Sequence, residues 1–73
     1  MTVFDLKTGE EAEVIRINAV GAEGARLSAL GLKIGTRVHI LSYSLFKSSV
    51  LLGFGAVRLS VRASIARRIE VKR

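Results

Sequence analysis

The sequence predicts a mainly β fold: a small, strongly bent barrel of about five short strands with one short α-helix. Three observations carry this expectation. Turn signals recur at short intervals along the 73 residues. Ala56 to Arg62 alternates without a break. Val57, Leu59 and Val61 point one way and Arg58, Ser60 and Arg62 the other, the pattern of a half-buried strand. Only Ala22 to Leu30 has both the length and the ending of a helix.

The elements follow in order. Val3, Phe4 and Leu6 can cap a core ahead of a turn at Thr8-Gly9-Glu10. Ala12 to Ile17 reads as the first strand, with Ile15 and Ile17 on one face and Arg16 on the other. In the helix, Leu30 is followed by Gly31, which adopts the left-handed conformation at little cost. With Gly31 at C′, Leu27 and Leu32 become the apolar pair of a Schellman ending. Arg26 suits the negative end of the helix dipole. So short a helix is not stable alone, so Leu27 and Leu30 are expected to pack onto a sheet.

Lys33-Ile34-Gly35-Thr36 reads as a turn into a strand over Thr36 to Tyr43. There Val38 and Ile40 share one face, and Arg37, His39 and Leu41 the other. Ser44 to Ser49 is a loop or hairpin tip. Val50 to Phe54 leads through Gly53 and Gly55 into Ala56 to Arg62, and these glycines mark a bulge or a sharp bend. Ala63 to Ala66 is a short helical turn. Ile69 to Val71 closes as a last strand, Ile69 and Val71 inward. Closing the sheet would hide its edges.

Length allows one domain, residues 1–73, and not two. No cysteine is present, so neither a disulfide nor a thiolate metal site staples the chain. The 49% hydrophobic content lets apolar packing supply the stability instead. The start is not patterned as a signal peptide, and no run approaches a membrane span. The missing cysteine fits a reducing cytosol.

The net charge of +6 is uneven. Asp5, Glu10, Glu11, Glu13 and Glu23 lie in the first 25 residues. Arg58, Arg62, Arg67, Arg68, Lys72 and Arg73 crowd the end against Glu70 alone. Such a basic end fits an acidic partner, or simply the solvated outer faces of strands.

Catalytic chemistry has few candidates. His39 is the single histidine, and zinc needs three or four protein ligands, so His39 reads as a surface residue beside Arg37. Glu10, Glu11 and Glu13 sit in a turn-like context that favours solvation over a shifted pKa. Ser42, Ser44, Ser48 and Ser49 lack a nucleophile elbow. Gly53-Phe54-Gly55 lacks the lysine and the helix of a phosphate loop. The expectation is a binding module without a cofactor, and not an enzyme.

With these signals in place, the chain resembles the FeoA family. The resemblance rests on Leu6 to Glu10, on Arg26 to Val38, and on Val57 through Ala66 with Ile69 to Val71. The middle block, a glycine-ended helix feeding a glycine turn into a strand, is its most specific part. The resemblance implies an SH3-like β-barrel. It also implies a cytoplasmic accessory of ferrous-iron uptake that works with the membrane transporter FeoB, and hence an indirect association with the membrane. A related domain ends the DtxR-type metal-dependent repressors. The family often has a proline- or glycine-containing segment where this chain has Ser44 to Val50, and no proline is present here.

That departure leaves Leu45 and Phe46 in a loop, either as a docking patch or as a plug for one end of the barrel. The expected partner surface combines Leu45, Phe46, Leu51 and Leu52 with Arg58 and Arg62. An exposed patch beside a small core also leaves room for a homo-oligomer. Two other readings compete. Arg58, Arg62, Arg67 and Arg68 can contact phosphate, but Phe4, Tyr43, Phe46 and Phe54 do not interleave with them as a stacking platform would, so no nucleic acid is expected. A metal-sensing or iron-binding role meets a poor ligand set.

Overall fold

The computed structural model describes all of residues 1–73. One end of its sheet is the strand that the sequence marks most clearly, paired with its neighbour. β3 (Ser49–Phe54) and β4 (Val57–Arg62) form a hairpin in full register from Phe54↔Val57 to Ser49↔Arg62. Val50, Leu52, Leu59 and Val61 are buried on one face, while Arg58, Ser60 and Arg62 are exposed on the other.

The remaining strands are β1 (Glu11–Ile17), β2 (Arg37–Tyr43) and β5 (Ile69–Lys72). All pairings are antiparallel, in the order β4-β3-β2-β1-β5. The sheet curls into a barrel shape, but its ladder stays open, because no pairing joins β4 to β5. The seam is filled by packing instead. α2 (Ala63–Ala66) lies on β3, β4 and a 3-10 turn at Val3–Asp5, and that turn lies on β5. Sixteen apolar residues form the core, and no polar or charged residue is buried.

Two bulges correct the expected face assignments. In β1 the register slips between Val14 and Arg16. The extra residue, Ile15, is pushed outward and is 41% exposed, while Val14 is buried and Ile17 packs against the core. Strict alternation would have put Ile15 and Ile17 together. In β2 the slip lies between Ile40 and Ser42, so Val38, Ile40 and Tyr43 all turn toward the core. The bulges therefore fall in β1 and β2 and not at Gly53. Gly55 forms the β3–β4 turn with φ +56°, and Gly53 lies directly across from His39.

α1 (Gly21–Ala29) ends as expected. Gly31 has φ +95°, its N–H donates to Ser28 O (3.0 Å), and the Leu32 N–H donates to Leu27 O (3.0 Å). Leu27 and Leu32 are both buried. Leu30 is not: as the C-cap residue it faces outward and is 37% exposed. No helix is long and apolar enough to cross a membrane.

Candidate docking surface

The β2–β3 connection is built by serines. Ser44 N–H donates to Ser49 O (3.0 Å), Ser49 N–H donates to Ser44 Oγ (2.9 Å), and Ser44 Oγ lies 3.0 Å from Ser48 Oγ. Lys47 N–H donates back to Ser44 O (2.8 Å). This clamp holds a second 3-10 turn, Leu45–Lys47, in which Phe46 (φ +62°) and Lys47 (φ +54°) are left-handed. A bulky residue adopts that region only at a cost of about 1–2 kcal/mol. The three serines thus shape a loop, a sufficient reason for their clustering.

The turn presents its apolar side chains to solvent. Leu45 is 79% exposed and Phe46 91% exposed, so neither plugs the barrel. Beneath them a cluster of long-range neighbours braces the loop. Lys47 Nζ lies 4.5 Å from the Tyr43 ring centroid and 5.3 Å from that of Phe4. The Arg67 guanidinium covers Phe4 at 4.8 Å. Phe4 meets Tyr43 edge-on at 5.5 Å. Tyr43 and Lys47 flank one short loop, but nothing local in the sequence links them to Phe4 or Arg67; the fold alone brings those in.

The expected partner surface is only partly assembled. Arg62 pairs across from Ser49, and the neighbouring Ala63 N–H donates to Ser48 O (2.9 Å), so Arg62 stands beside the Leu45–Phe46 tip. Arg58 stands four residues away, roughly 13 Å along the strand, opposite Gly53. Leu51 is half-buried on the outer face. Leu52 is removed from the surface: it is 0% exposed, pairs with Ile40 and Leu59, and belongs to the core. Adjacent residues of a strand face opposite ways, so Leu51 and Leu52 cannot share a docking face.

Electrostatics divide the molecule. Its ion pairs join Arg37 to Glu11 (3.2 Å), Arg73 to Glu10 (3.1 Å) and Arg16 to Glu70 (3.9 Å), and His39 Nδ1 lies 3.8 Å from the Glu11 carboxylate. Glu10 and Glu11 are thus engaged with cations rather than merely solvated. None of these pairs includes Arg26, Lys47, Arg58, Arg62, Arg67 or Arg68. Lys7, Lys33 and Lys72 are likewise unpaired, but Lys47, Arg58, Arg62, Arg67 and Arg68 stand on or next to β4, α2 and the tip, where no carboxylate pairs with them. No group of three or more His, Cys, Asp or Glu side chains comes together to hold a metal ion.

Comparisons with known proteins bear on the whole chain. The sequence profile of the FeoA domain matches residues 1–73. The FeoA protein of Chlorobium tepidum is 30% identical and superimposes with a TM-score of 0.91, over 97% of this chain and 68% of its own. The zinc-complexed FeoA of Stenotrophomonas maltophilia, described as a prokaryotic SH3 domain protein, is 26% identical, with a TM-score of 0.83 over 99% of this chain and 89% of its own. Iron(II) transport protein A of Clostridium thermocellum is 22% identical with a TM-score of 0.90; the match covers 99% of this chain and 44% of that one. No curated protein matches significantly. With its full-length match and its SH3-like fold, this chain belongs to the FeoA family, which is associated with ferrous-iron transport.

Proposed function

We propose that the chain is a cytoplasmic accessory of bacterial ferrous-iron uptake, a protein-interaction module and not an enzyme, which docks onto the cytoplasmic region of a FeoB-type transporter. Its association with the membrane is indirect, through that transporter. One observation carries the reading: a leucine and a phenylalanine stand almost fully exposed on a serine-clamped turn, flanked by Lys47 and Arg62. Interface cores are enriched in aromatic residues and arginine, which Phe46 and Arg62 supply here. A loop braced from below presents it at low ordering cost.

The test is a titration against the cytoplasmic domain of the cognate transporter and against a single-stranded RNA, at low and moderate salt. Saturable binding to the transporter domain is expected, with weak RNA binding that salt erases. The double variant Leu45→Asp/Phe46→Asp should melt with the parent and lose transporter binding at least about tenfold. Unchanged binding by that variant, or tight RNA binding without transporter binding, would overturn the proposal.

A further inference from the structure

The two edges of the sheet differ in a way that the tip does not explain. The β5 edge is covered: Thr2 bridges to Glu70, and the Val71 N–H donates to Met1 O (2.9 Å). The β4 edge pairs with β3 alone. Its register says which groups are free. Ala63 N–H faces β3 through Ser48 O, and backbone direction alternates along a strand. Val57, Leu59 and Val61 therefore bond to β3, while the N–H and C=O groups of Arg58 and Ser60 and the N–H of Arg62 point outward; the Arg62 C=O is taken by α2, of which Arg62 is the N-cap.

Beside this edge runs a groove of about 330 Å³ between β4 and α1. Leu27, Leu59, Val61 and Ile65 form its apolar lining, and Arg26 and Arg62 stand at its rim. Glu23 is the one carboxylate lining it. Arg26, Arg58 and Arg62 have no ion-pair partner.

We infer that the β4 edge takes an added strand: an extended peptide segment alternating apolar and acidic residues. The free N–H and C=O groups of Arg58 and Ser60, with the N–H of Arg62, offer the backbone half of such a pairing. The side chains of the guest would then alternate. One set falls into the groove against Leu59 and Val61, and must be apolar. The other lies over the outer row of Arg58, Ser60 and Arg62, and must be acidic. A second copy of the chain is a poor guest. Antiparallel self-pairing centred on Ser60 would set Arg58 of each copy against Arg62 of the other, and like charges directly opposite are destabilising. This proposal does not rest on the Leu45–Phe46 reading.

The experiment uses a capped heptapeptide alternating glutamate and valine, titrated into the full chain and followed by amide shifts and calorimetry. Saturable binding is expected, with shifts and exchange protection centred on Arg58, Ser60 and Arg62. N-methylating the peptide amides that face β4 removes the two hydrogen bonds to the Arg58 and Ser60 carbonyls and should weaken binding about tenfold to a hundredfold. Ser60→Pro deletes an outward N–H without touching the β3 ladder, so it should abolish binding while the chain stays folded. Should Ser60→Pro fail to fold, Arg58→Glu serves: it should weaken the glutamate peptide and strengthen its lysine counterpart. The Phe46→Asp variant should bind the peptide like the parent, which separates this outcome from that of the transporter titration. Equal affinity for the N-methylated peptide, shifts elsewhere than β4, self-association through β4, or no saturation would each overturn the inference.

Discussion

The chain contains two three-residue 3-10 turns, Val3–Asp5 and Leu45–Lys47, that touch each other and behave oppositely. The first is tied down on every side. Val3 and the following Leu6 are buried, the Thr2 N–H donates to the Asp5 carboxylate (2.8 Å), and the Tyr43 hydroxyl reaches the carbonyls of Val3, Phe4 and Leu6, donating to Leu6. The second buries nothing and holds a phenylalanine in the left-handed region. The first closes the seam of an open sheet and contributes to stability. The second, supported by the first through Lys47, keeps apolar groups in water at a cost in stability, which is the cost that the proposed docking would offset.

The largest effect should come from the seam. Leu6→Ala empties a fully buried site and should destabilise by about 2–5 kcal/mol in urea denaturation. Leu45→Ala, the same change in the second turn, should stay within about 0.5 kcal/mol of the parent. Similar losses for both would erase the contrast between the turns. Next in size is Tyr43→Phe, which removes the hydroxyl from those carbonyls and should cost about 1–2 kcal/mol. Burial, with the charges of Asp5 and Glu10, holds the Tyr43 pKa above its ordinary 10.0. The contribution of its protonated hydroxyl is thus complete below pH 10.0 and is lost as the pH rises through the higher folded value. Tyr43→Phe should therefore flatten the alkaline limb of the stability profile, and an unchanged limb would count against the seam reading.

How much of this was legible beforehand varied with the range of the cause. The Schellman ending at Gly31 was legible because it depends on adjacent residues, Leu27 to Leu32, and the burial of Leu59 and Val61 because β4 has no bulge. Ile15 was misplaced because a bulge breaks alternation and leaves no mark in composition. Leu52 was placed on the surface because a run of apolar residues hides which member faces in, and only the pairing with Ile40 decides it. Phe46 was recognised as a candidate but not separated from a plug, since its exposure depends on how Ser44, Ser48 and Ser49 fold the loop. The open β4 edge was the opposite of what short strands suggested. Whether a ladder closes depends on shear and on α2, neither of which is written in the alternation.

A smaller effect concerns acid. The Thr2 N–H above all, with Lys47 adding its charge, holds the Asp5 carboxyl below its ordinary 3.8. Its stabilisation is present above that value and is lost as the pH falls through the lower folded one. Asp5→Asn should therefore lower the urea midpoint at neutral pH, and its difference from the parent should shrink below pH 3.8. A difference that stays constant into acid would mean that the charge of Asp5 does not anchor the first turn.

The smallest effect has the opposite sign and separates the two turns most sharply. Asparagine tolerates the left-handed region that phenylalanine resists, and it adds none of glycine's freedom to the unfolded chain. At a position that is 91% exposed, no packing is lost in exchange. Phe46→Asn should raise stability by about 0.5–1 kcal/mol, read as a higher urea midpoint at constant slope. The same variant should weaken binding to the transporter domain. A gain in stability with a loss of binding is the signature of a residue kept for its partner. Were Phe46→Asn instead to destabilise the chain, Phe46 would be bracing the loop, and the second turn would belong to the scaffold like the first.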